Sequence, residues 1–290
     1  MIKNVSFVGL GVMGFPMAGH LQQAGYSTTV YNRTTTKAED WKDRHGGKTA
    51  STPAEAAVGS QIVFMCVGND DDVRSVVYGD TGVLAGMESG SVLVDHTTAS
   101  AEIAKEIAEV AKTQNIGFID APVSGGQAGA ENGQLSVMCG GKEETFEIVE
   151  SVISVYAKAV NLIGPVGSGQ TTKMVNQICI AGLVQGLSEG LDFGRRAGLD
   201  MEKVIAAISQ GASGSWQMSN RSETMLEREF DHGFALDWMR KDLDIVFNEA
   251  SRIGAKLPIT AMVDEYYAQL QDQGHGRWDT SSLIELLRDN

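Results

Sequence analysis

Short apolar runs alternate with amphipathic segments through the N-terminal half of the chain. Buried strands are predicted from the apolar runs at residues 2–8, 27–31, 62–67, 92–94, 118–119 and 135–139, and helices from the patterns at 100–113 and 142–155. In the first of these helices Ile103, Ile107 and Val110 repeat at helical spacing, and Ser100 precedes them as a cap. Strands that alternate with helices predict a parallel, doubly wound sheet whose ligand crevice lies at the carboxyl ends of its strands.

After Pro165 the pattern becomes helical throughout. One long helix is predicted over residues 170–197, which contain no proline, and further helical periodicity covers 201–209, 217–227, 236–253, 259–271 and 281–287. The chain therefore predicts an N-terminal, Rossmann-type α/β domain over residues 1–164 and an all-α C-terminal domain over residues 165–290, joined through the long helix.

The long helix carries a glycine at every fourth position, namely Gly182, Gly186, Gly190 and Gly194. Each glycine inside a helix costs about 1 kcal/mol relative to alanine, so an aligned stripe needs a compensating role. Close approach of a second backbone would provide that role. The partner could be a helix of the same chain or a helix of a second subunit.

A glycine-rich turn stands between the first predicted strand and the helix that follows it. Gly9 permits the tight turn, Gly11 lets the backbone approach a pyrophosphate, and Gly14 lets the helix pack closely on the strand. The N-terminus of that helix offers unpaired N–H groups to phosphates. Because strand, turn, helix and second strand occur in the required order, the segment predicts a dinucleotide site. The candidate contacts are Gly9, Leu10, Gly11, Val12, Met13 and Gly14.

The end of the second predicted strand indicates which dinucleotide is bound. An NAD site usually has Asp or Glu there for the ribose 2′-hydroxyl, whereas this chain has Asn32, Arg33 and Thr34. Arg33 can hold a 2′-phosphate through a charge-assisted contact, and the hydroxyls of Thr34 and Thr35 can donate to it. We therefore expect NADP(H) as the cofactor, with NAD(H) as the weaker alternative.

The net charge limits the classes of partner that we expect, and the cysteine content indicates the redox compartment. The net charge of −14 disfavours nucleic acid and anionic membranes as partners. Cys66, Cys139 and Cys179 are scattered and form no C-x-x-C motif, so we expect neither a disulfide framework nor a metal site, and a reducing cytoplasm fits. Glycines and Pro16 interrupt the uncharged N-terminal stretch, which argues against a signal peptide.

One candidate substrate segment covers residues 120–126, directly after the strand at 118–119. This position lies on the crevice side of the predicted sheet. Ser124 offers a hydroxyl, and the backbone N–H groups of Gly125 and Gly126 can cradle a carboxylate. A structural turn is the alternative interpretation.

A candidate catalytic pair stands at the start of the long helix. Lys173 and Asn176 are three residues apart and therefore share a face, and Gln177 lies on the same side. Apolar neighbours and the helix dipole favour the neutral amine of Lys173. That amine could exchange a proton with a hydroxyl or carbonyl oxygen at neutral pH, while Asn176 orients the substrate or the lysine.

Further candidates lie at strand ends and in the helical region. Met65, Cys66, Val67 and Thr97 lie at the ends of predicted parallel strands and are expected to line the nicotinamide half of the cofactor site. Lys241, within residues 240–243, is a candidate contact to the cofactor or to substrate anions, and a plain charged helix face is the alternative. Trp216, which ends a segment rich in glycine and serine, is a candidate substrate contact.

Four motifs in this order resemble the β-hydroxyacid dehydrogenase family, which includes 3-hydroxyisobutyrate dehydrogenase, tartronate semialdehyde reductase and succinic semialdehyde reductases. They occupy residues 9–17, 120–126, 173–177 and 241–243, so the resemblance covers nearly the whole chain.

The resemblance implies roles for several of these residues. Lys173 would be the catalytic general acid/base with Asn176 as its helper, and residues 124–126 would hold the substrate carboxylate. Thr97 and Lys241 would contact the cofactor. The family also implies dimers or tetramers that pack through their helical domains, which suits the glycine stripe.

We therefore expect an oxidoreductase that interconverts a small aldehyde acid and its β- or γ-hydroxy acid with NADP(H). Imine reductases share the fold, but in that family the position of Lys173 usually holds another residue. A non-catalytic, NADP-binding interaction module is the alternative from a different class, and the presence of Lys173 and Asn176 speaks against it. Tartronate semialdehyde, methylmalonate semialdehyde, succinic semialdehyde and glyoxylate all remain open as substrates.

Overall fold

A computed structural model describes residues 2–288 of the chain. The chain divides into two compact units, Met1–Lys173 and Met174–Asn290. Within the described range, we find no helix with the length and apolar character that a membrane crossing requires.

The first unit is built on one sheet, in which the described residues form nine strands. The strands are β1 (Asn4–Val8), β2 (Ser27–Tyr31), β3 (Lys48–Thr49), β4 (Ile62–Met65), β5 (Val92–Asp95), β6 (Gly117–Asp120), β7 (Val123–Ser124), β8 (Leu135–Gly141) and β9 (Ala157–Gly164). Their order is β3-β2-β1-β4-β5-β6-β8-β7, with β9 paired to β8. This is the Rossmann-type sheet that the alternating pattern predicts.

Helices connect these strands and cover the sheet. They are α1 (Gly14–Gln23), α2 (Thr35–His45), α3 (Pro53–Ala57), α4 (Asp70–Val77), α5 (Val83–Gly86), α6 (Ala101–Thr113), α7 (Gly126–Glu131) and α8 (Glu143–Ile153). Successive strand residues face opposite sides of a sheet, so two cores result. Phe7 and Phe64 pack in one core with Trp41 of α2. Met65 packs in the other core with Ile103 of α6.

The sheet departs from the predicted all-parallel order at one edge. The strands from β3 to β6 pair in parallel, but β8 runs antiparallel to β6 and to β7. A parallel crossover needs a dozen or more residues with a covering helix. The connection from β6 to β8 instead contains β7 and the six-residue α7, so the chain returns in the opposite direction.

The second unit is helical. Helix α9 (Ser168–Arg196) runs into it from the first unit, and its other elements are α10 (Met201–Ile208), α11 (Trp216–Glu227), α12 (Leu236–Ile253), α13 (Pro258–Asp272) and a 3₁₀ helix (Thr280–Leu287). Ala181 and Val184 of α9 pack against Leu243 of α12 and Tyr267 of α13 in the core of this unit. The helical pattern at 281–287 predicts a helix, and the structure forms the tighter 3₁₀ type there.

The glycine stripe of α9 has two parts that differ in their surroundings. A Cβ atom on Gly194 would lie 2.7 Å from the Sδ atom of Met201, so this glycine serves packing inside the unit. A Cβ atom on Gly182, Gly186 or Gly190 would meet no heavy atom of the described residues within 4 Å. Packing within the chain therefore explains only the last glycine of the stripe.

Candidate functional site

The glycine-rich turn joins β1 to α1 as its spacing predicts. Gly9 has φ +96°, which favours glycine, and a Cβ atom there would collide with the Cys66 carbonyl. A Cβ atom on Gly14 would collide with the carbonyl of Gly9, whereas one on Gly11 would meet no heavy atom within 4 Å. Met13 provides no side-chain cap to α1. The turn is therefore tightly packed on its inner side and open at Gly11, which fits a pyrophosphate.

Asn32 holds this turn against the end of β2. Its Oδ1 atom accepts a hydrogen bond from the Leu10 backbone N at 2.9 Å, and its Nδ2 atom donates to the Thr34 carbonyl at 3.0 Å. Both ends of the side-chain amide are thus bonded inside the protein. The side chain thus positions the turn, and the contact of Asn32 with the cofactor stays a prediction.

A cavity of about 700 Å³ lies beside the turn and is a candidate place for the adenosine half of a dinucleotide. It is lined by Leu10, Gly11, Val12, Phe15, Lys37, Asp40, Asp43 and Arg44. The last four residues belong to α2, for which the sequence pattern predicts no helix, because only Ala38 and Trp41 of it are buried.

Arg33 stands at the end of β2 with its side chain 86% exposed. Its Nη1 atom lies 3.3 Å from Oδ1 of Asp72, which belongs to α4. An ion pair this exposed contributes about 0–1 kcal/mol, so Arg33 can exchange the carboxylate for another anion at little cost. The first turn of α2, which follows directly, contains no acidic residue.

The ends of β4 and β5 are tied together by a threonine. The Oγ1 atom of Thr97 accepts a hydrogen bond from the Val67 backbone N at 3.0 Å, and the Thr97 backbone N donates to Asp95 Oδ1 at 2.8 Å. Thr97 is buried. The hydroxyl oxygen thus joins the two strand ends, and the contact of Thr97 with the cofactor stays a prediction.

The start of α9 is clamped to the ends of β5 and β6. Asp120 Oδ1 accepts from the Gly167 backbone N at 2.8 Å, and Asp120 Oδ2 accepts from the Gln170 backbone N at 2.9 Å. The Gln170 side chain then donates from Nε2 to the Thr97 carbonyl at 2.7 Å and accepts at Oε1 from the Ala99 backbone N at 3.1 Å. These bonds fix the helix start at the carboxyl edge of the sheet.

Lys173 lies three residues after Gln170 and therefore on the same face of α9. Long helical side chains lean toward the helix N-terminus, which directs the lysine back toward the clamped turn. Lys173 is only 7% exposed. The structure thus brings the predicted catalytic lysine, buried, to the helix turn that sits on the strand ends.

Two buried carboxyl groups lie side by side under this edge, because Asp95 and Asp120 are register partners on β5 and β6. Burial raises the pKa of Asp95 to about 7 and the pKa of Asp120 to about 6, although backbone hydrogen bonds oppose both shifts. Oδ2 of Asp95 is buried without a hydrogen-bond partner. Ionised forms of both groups are therefore costly, and Asp120 offsets that cost through the amides of the clamp.

His96 is a structural residue of the same edge. Burial lowers its pKa to about 4, so the ring is neutral. Its Nδ1 atom lies 2.6 Å from the Ala121 carbonyl, which can only accept, so Nδ1 carries the proton. Its Nε2 atom then accepts from the Tyr156 hydroxyl at 2.8 Å.

The predicted carboxylate segment forms β7 and the turn into α7. Gly125 has φ +136° and Gly126 has φ +62°, and both values favour glycine. A Cβ atom on Gly126 would meet no heavy atom within 4 Å, so the backbone there is open. Ser124 is partly buried immediately before them. The geometry is compatible with the predicted contact to a carboxylate.

In the helical unit, α9 and α12 share a line of polar side chains. Nδ2 of Asn176 donates to Oε1 of Gln177 at 2.8 Å, and Nε2 of Gln177 donates to Oδ2 of Asp242 at 2.7 Å. Nζ of Lys241 lies 2.8 Å from Oδ1 of Asp242. Trp216, at the start of α11, is half exposed, and the Arg221 guanidinium lies 5.0 Å from its ring centroid.

Sequence reasoning missed the residues that position this site. Asp120 lay inside a predicted motif, but nothing in the pattern indicates that its carboxylate binds amides forty-seven and fifty residues later. The sequence pattern likewise assigns no role to Gln170 or to Asp242. A polar residue one turn before a candidate catalytic lysine is the signal that could have identified Gln170.

Two family models together match nearly the whole chain. Residues 4–164 match the NAD binding domain of 6-phosphogluconate dehydrogenase. Residues 167–287 match the NAD-binding domain of NADP-dependent 3-hydroxyisobutyrate dehydrogenase.

Individual proteins agree with these matches. An uncharacterized oxidoreductase of Shewanella frigidimarina is 60% identical over 99% of this chain and 98% of its own length. The probable 3-hydroxyisobutyrate dehydrogenase-like 1 of Arabidopsis thaliana, a mitochondrial protein, is 43% identical over 98% of this chain and 85% of its own length. The structure of Mycobacterium tuberculosis 3-hydroxyisobutyrate dehydrogenase with L-serine superposes with a TM-score of 0.88, at 26% identity, over 100% of both chains.

A Rossmann-type unit with a dinucleotide turn, followed by a helical unit, defines an NAD(P)-binding oxidoreductase. The chain belongs to the β-hydroxyacid dehydrogenase family, as its four motifs predicted. Its activity is that of an NAD(P)-dependent hydroxyacid dehydrogenase.

Proposed function

We propose that the protein interconverts a small aldehyde acid and its β- or γ-hydroxy acid, that NADP(H) is its preferred cofactor, and that Lys173 is the general acid/base. The observation that carries the proposal is the clamp at the start of α9. Asp120 and Gln170 fix this turn on the strand ends where ligands bind in such sheets, and Lys173 is buried on the same helix face.

The residues of the chain have separate tasks in this proposal. Lys173 gives a proton to the carbonyl oxygen during reduction and takes it back during oxidation. The backbone N–H groups of Gly125 and Gly126, of which only Gly126 has open space around it, hold the substrate carboxylate together with the Ser124 hydroxyl. Asn176 orients the reacting oxygen. The bound nicotinamide supplies or accepts the hydride.

Support for the substrate class comes from the relatives. The Arabidopsis relative is described as 3-hydroxyisobutyrate dehydrogenase-like, and the Mycobacterium structure contains L-serine. Both 3-hydroxyisobutyrate and serine carry a hydroxyl on the carbon β to a carboxylate. A β-hydroxy acid is therefore the first substrate class to test, and γ-hydroxy acids come second.

We also propose contacts for the other candidate residues. The fingerprint turn, the strand-end backbones at Met65, Cys66 and Val67, and the ammonium of Lys241 serve the cofactor. Trp216 serves the substrate. We place the functional domain boundary between residues 164 and 165, before α9. The scattered thiols favour a reducing compartment such as the cytoplasm.

The test is a panel of small aldehyde and hydroxy acids, assayed with NADPH, NADH and their oxidised forms. We expect turnover of at least one β- or γ-hydroxy acid. Lys173→Ala is expected to bind NADPH normally and to lose about a hundredfold to ten-thousandfold in kcat, the usual contribution of general acid/base catalysis. Lys158→Ala, at an exposed position of β9, is the matched control and should keep full activity.

Two results would overturn the proposal. If Lys173→Ala kept more than a tenth of the wild-type kcat, the lysine would not be the general acid/base. If the wild-type protein bound NADPH but turned over no member of the panel, the substrate class would be wrong. A cyclic imine included in the panel distinguishes imine reduction, and binding without any turnover would favour an interaction module.

A further inference from the structure

The helical unit contains a second cavity, of about 530 Å³, whose lining residues have no part in the reaction proposed above. Three arginines line it, together with one carboxylate and two aromatic rings: Arg195, Arg228, Arg288, Glu285, His275 and Trp278. They come from the ends of α9 and α11, from the segment after α13, and from the 3₁₀ helix with the residue that follows it. The volume is typical of a site for a small molecule. We call it the arginine cavity.

One carboxylate is shared by two of these arginines. Oε2 of Glu285 accepts a hydrogen bond from Nε of Arg228 at 3.0 Å. Oε1 of Glu285 lies 3.1 Å from Nε of Arg288, but both of these atoms are buried and make no hydrogen bond within the described residues. Glu285 therefore holds Arg228 through hydrogen bonds and Arg288 through charge alone. Its single negative charge balances only one of the two guanidinium groups.

The third arginine of the cavity also shares its carboxylate. Nη2 of Arg195 lies 2.8 Å from Oδ1 of Asp192, whose other oxygen pairs with Nε of Arg196 at 2.6 Å. Across the two groups, four guanidinium groups thus share two carboxylates. Because the whole chain carries a net charge of −14, this local excess of positive charge is opposite in sign to that of the protein. Such an excess attracts an anion.

Arg228 has a backbone conformation that favours glycine. It is the C-cap of α11, with φ +64° and ψ 36°, and a left-handed residue at the end of a helix is usually glycine because a side chain is strained there. The Arg228 side chain is 60% exposed, so its pair with Glu285 contributes little stability. The ion pair thus does not offset the strain, which leaves recognition of a ligand as a use for this side chain.

Other parts of the cavity wall are held in place. Nη2 of Arg288 donates to the carbonyls of Met225 and Leu226, in the last turn of α11, at 3.1 Å and 3.4 Å. The rings of His275 and Trp278 stack with their centroids 3.5 Å apart and an angle of 8° between their planes. A site that is already ordered loses little entropy when a ligand binds. The arginine cavity thus offers an anchored cation and a flat aromatic wall.

We propose that the arginine cavity binds a small organic dianion, either a phosphate monoester or a dicarboxylate. Arg195 and Arg228, whose side chains are 46% and 60% exposed, bind its oxygen atoms through paired, charge-assisted hydrogen bonds. Arg288 contributes its positive charge from the wall. The cavity is larger than an inorganic anion requires, and the rings of His275 and Trp278 can pack against the carbon atoms of the ligand.

Calorimetric titration of the full chain, saturated with NADPH, tests for this site. The probes are glycerol 3-phosphate for the phosphate class and succinate for the dicarboxylate class. Acetate and sodium chloride, at matched ionic strength, are the controls. We expect at least one dianion to bind at least tenfold more tightly than acetate, and the probe that binds more tightly identifies the class of ligand. Saturation with NADPH keeps the phosphate probe out of the dinucleotide site.

Arg228→Gly is the most informative variant, because its backbone position suits glycine. We expect the dianion to bind at least tenfold more weakly, while the melting temperature stays within about 2 °C of wild type or rises. Arg277→Gln is the matched control, because it removes the same charge from an exposed position of the same unit that does not line the cavity. Its affinity for the dianion should stay within twofold of wild type.

Two further variants locate the bound dianion. Arg195→Gln removes the second contact from a different helix and should weaken binding at least fivefold. Ser124→Ala alters the segment proposed to hold the substrate carboxylate and should leave binding of the dianion within twofold of wild type. Succinate that is bound as a substrate analogue would show the reverse pattern.

The inference is overturned if neither dianion binds more tightly than acetate, if a folded Arg228→Gly variant binds the dianion as wild type does, or if Arg277→Gln weakens binding as much as Arg228→Gly. Binding that is lost in Ser124→Ala and kept in Arg228→Gly would also overturn it, because the dianion would then occupy the substrate site. None of these measurements requires turnover. A protein that is inactive on every hydroxy acid would still bind the dianion, so failure of the proposed function is a separate result.

Discussion

Oδ2 of Asp120 lies 2.9 Å from the backbone N of Gln170, and this bond joins the end of β6 to the first turn of α9. The other oxygen of the same carboxylate accepts from the Gly167 backbone N. The approach is so close that a Cβ atom on Gly169 would lie 2.8 Å from Asp120 Oδ2. The position of Lys173 on α9 is therefore set by the Asp120 carboxylate, the two backbone amides that it accepts from, and the close approach at Gly169.

Asp120→Asn is expected to disturb this clamp because asparagine has only one acceptor oxygen. One of the two amides would face an N–H₂ group, and an unsatisfied buried donor costs about 1–3 kcal/mol. For a protein of this size we expect a fall in melting temperature of roughly 2–10 °C. Displacement of the helix start should also lower kcat by more than tenfold, measured at a temperature where the variant is fully folded.

Asp80→Asn is the control for this variant, because Asp80 is exposed and its loss changes the net charge equally. Both its melting temperature and its kcat should match wild type. Wild-type kcat in Asp120→Asn, together with a reduced melting temperature, would mean that the clamp stabilises the fold without positioning the lysine.

The alternation of short apolar strands and amphipathic helices was sufficient to predict most of the fold. The predicted bounds of β2 and α12 coincide with the structure, and Ser100 caps α6 by accepting from the Ile103 backbone N. Periodicity failed where burial is slight. Helix α2 buries only Ala38 and Trp41, and β9 is partly exposed along its length, so neither produces a strong apolar pattern.

The motifs could be predicted from the sequence, but the bonds that position them could not. Gln177 and Asp242 are sixty-five positions apart, and their contact depends on how α9 and α12 pack. Arg33 likewise pairs with Asp72 across thirty-nine positions. Local pattern specifies which chemical groups are present, whereas the tertiary fold specifies which of them are bonded already.

Asp95 provides a prediction on pH dependence. Burial raises its pKa from 3.8 to about 7, so the folded chain binds this proton more tightly than the unfolded chain does. The stability that the protonated carboxyl contributes is present below pH 4 and is lost as the pH rises through about 7. Asp95→Asn is neutral at every pH and keeps an acceptor oxygen for the Thr97 amide, so it avoids this loss.

We therefore consider the free energy of unfolding of Asp95→Asn minus that of wild type. We expect this difference to increase between pH 4 and about pH 7 and to stay constant above that range. Denaturant titrations at several pH values measure this difference. Because the variant is compared with wild type at each pH, the contribution of the other titratable groups cancels. The same series for Asp80→Asn should be flat. A pH-independent difference for Asp95→Asn would show that Asp95 keeps the same protonation state on folding.

The glycine stripe predicts assembly through α9. Gly186 and Gly190 have no heavy atom near a built Cβ, and the large side chains of Val175, Leu183 and Phe193 are exposed on the same helix. Alanine at Gly186 and Gly190 should therefore stabilise an isolated chain by about 1 kcal/mol each, through helix propensity alone. Leucine at either position should weaken a close helix contact between subunits.

Light scattering measures the outcome. We expect wild type to be at least a dimer, and Gly186→Leu or Gly190→Leu to shift it toward monomer while the helical circular dichroism is retained. Glu202→Leu adds an apolar side chain to the exposed face of α10 and should leave the assembly unchanged. A wild-type monomer, or leucine variants with the native assembly, would contradict packing through this stripe.

Cofactor choice depends on Arg33 and on the carboxylate beside it. A 2′-phosphate would gain a charge-assisted contact with Arg33 worth about 1.5–3 kcal/mol, which NADH cannot make. At 1.4 kcal/mol per factor of ten, wild type should prefer NADPH by roughly 10- to 150-fold in kcat/KM. Arg33→Ala should remove most of that preference and leave the activity with NADH nearly unchanged.

Asp72 makes this prediction sharper, because its carboxylate lies 3.3 Å from the same guanidinium and repels a phosphate placed there. Asp72→Asn removes that repulsion and frees Arg33 for the phosphate, so the preference for NADPH should rise above that of wild type. Asp71→Asn removes an equal charge from the next position, whose partner is Arg74, and should change the preference less. Arg33→Ala lowers the preference and Asp72→Asn raises it only if Arg33 binds the 2′-phosphate. Equal use of both cofactors by wild type, with no response to Asp72→Asn, would mean that Arg33 stays in solvent with its carboxylate partner and that the two cofactors are bound through the groups they share.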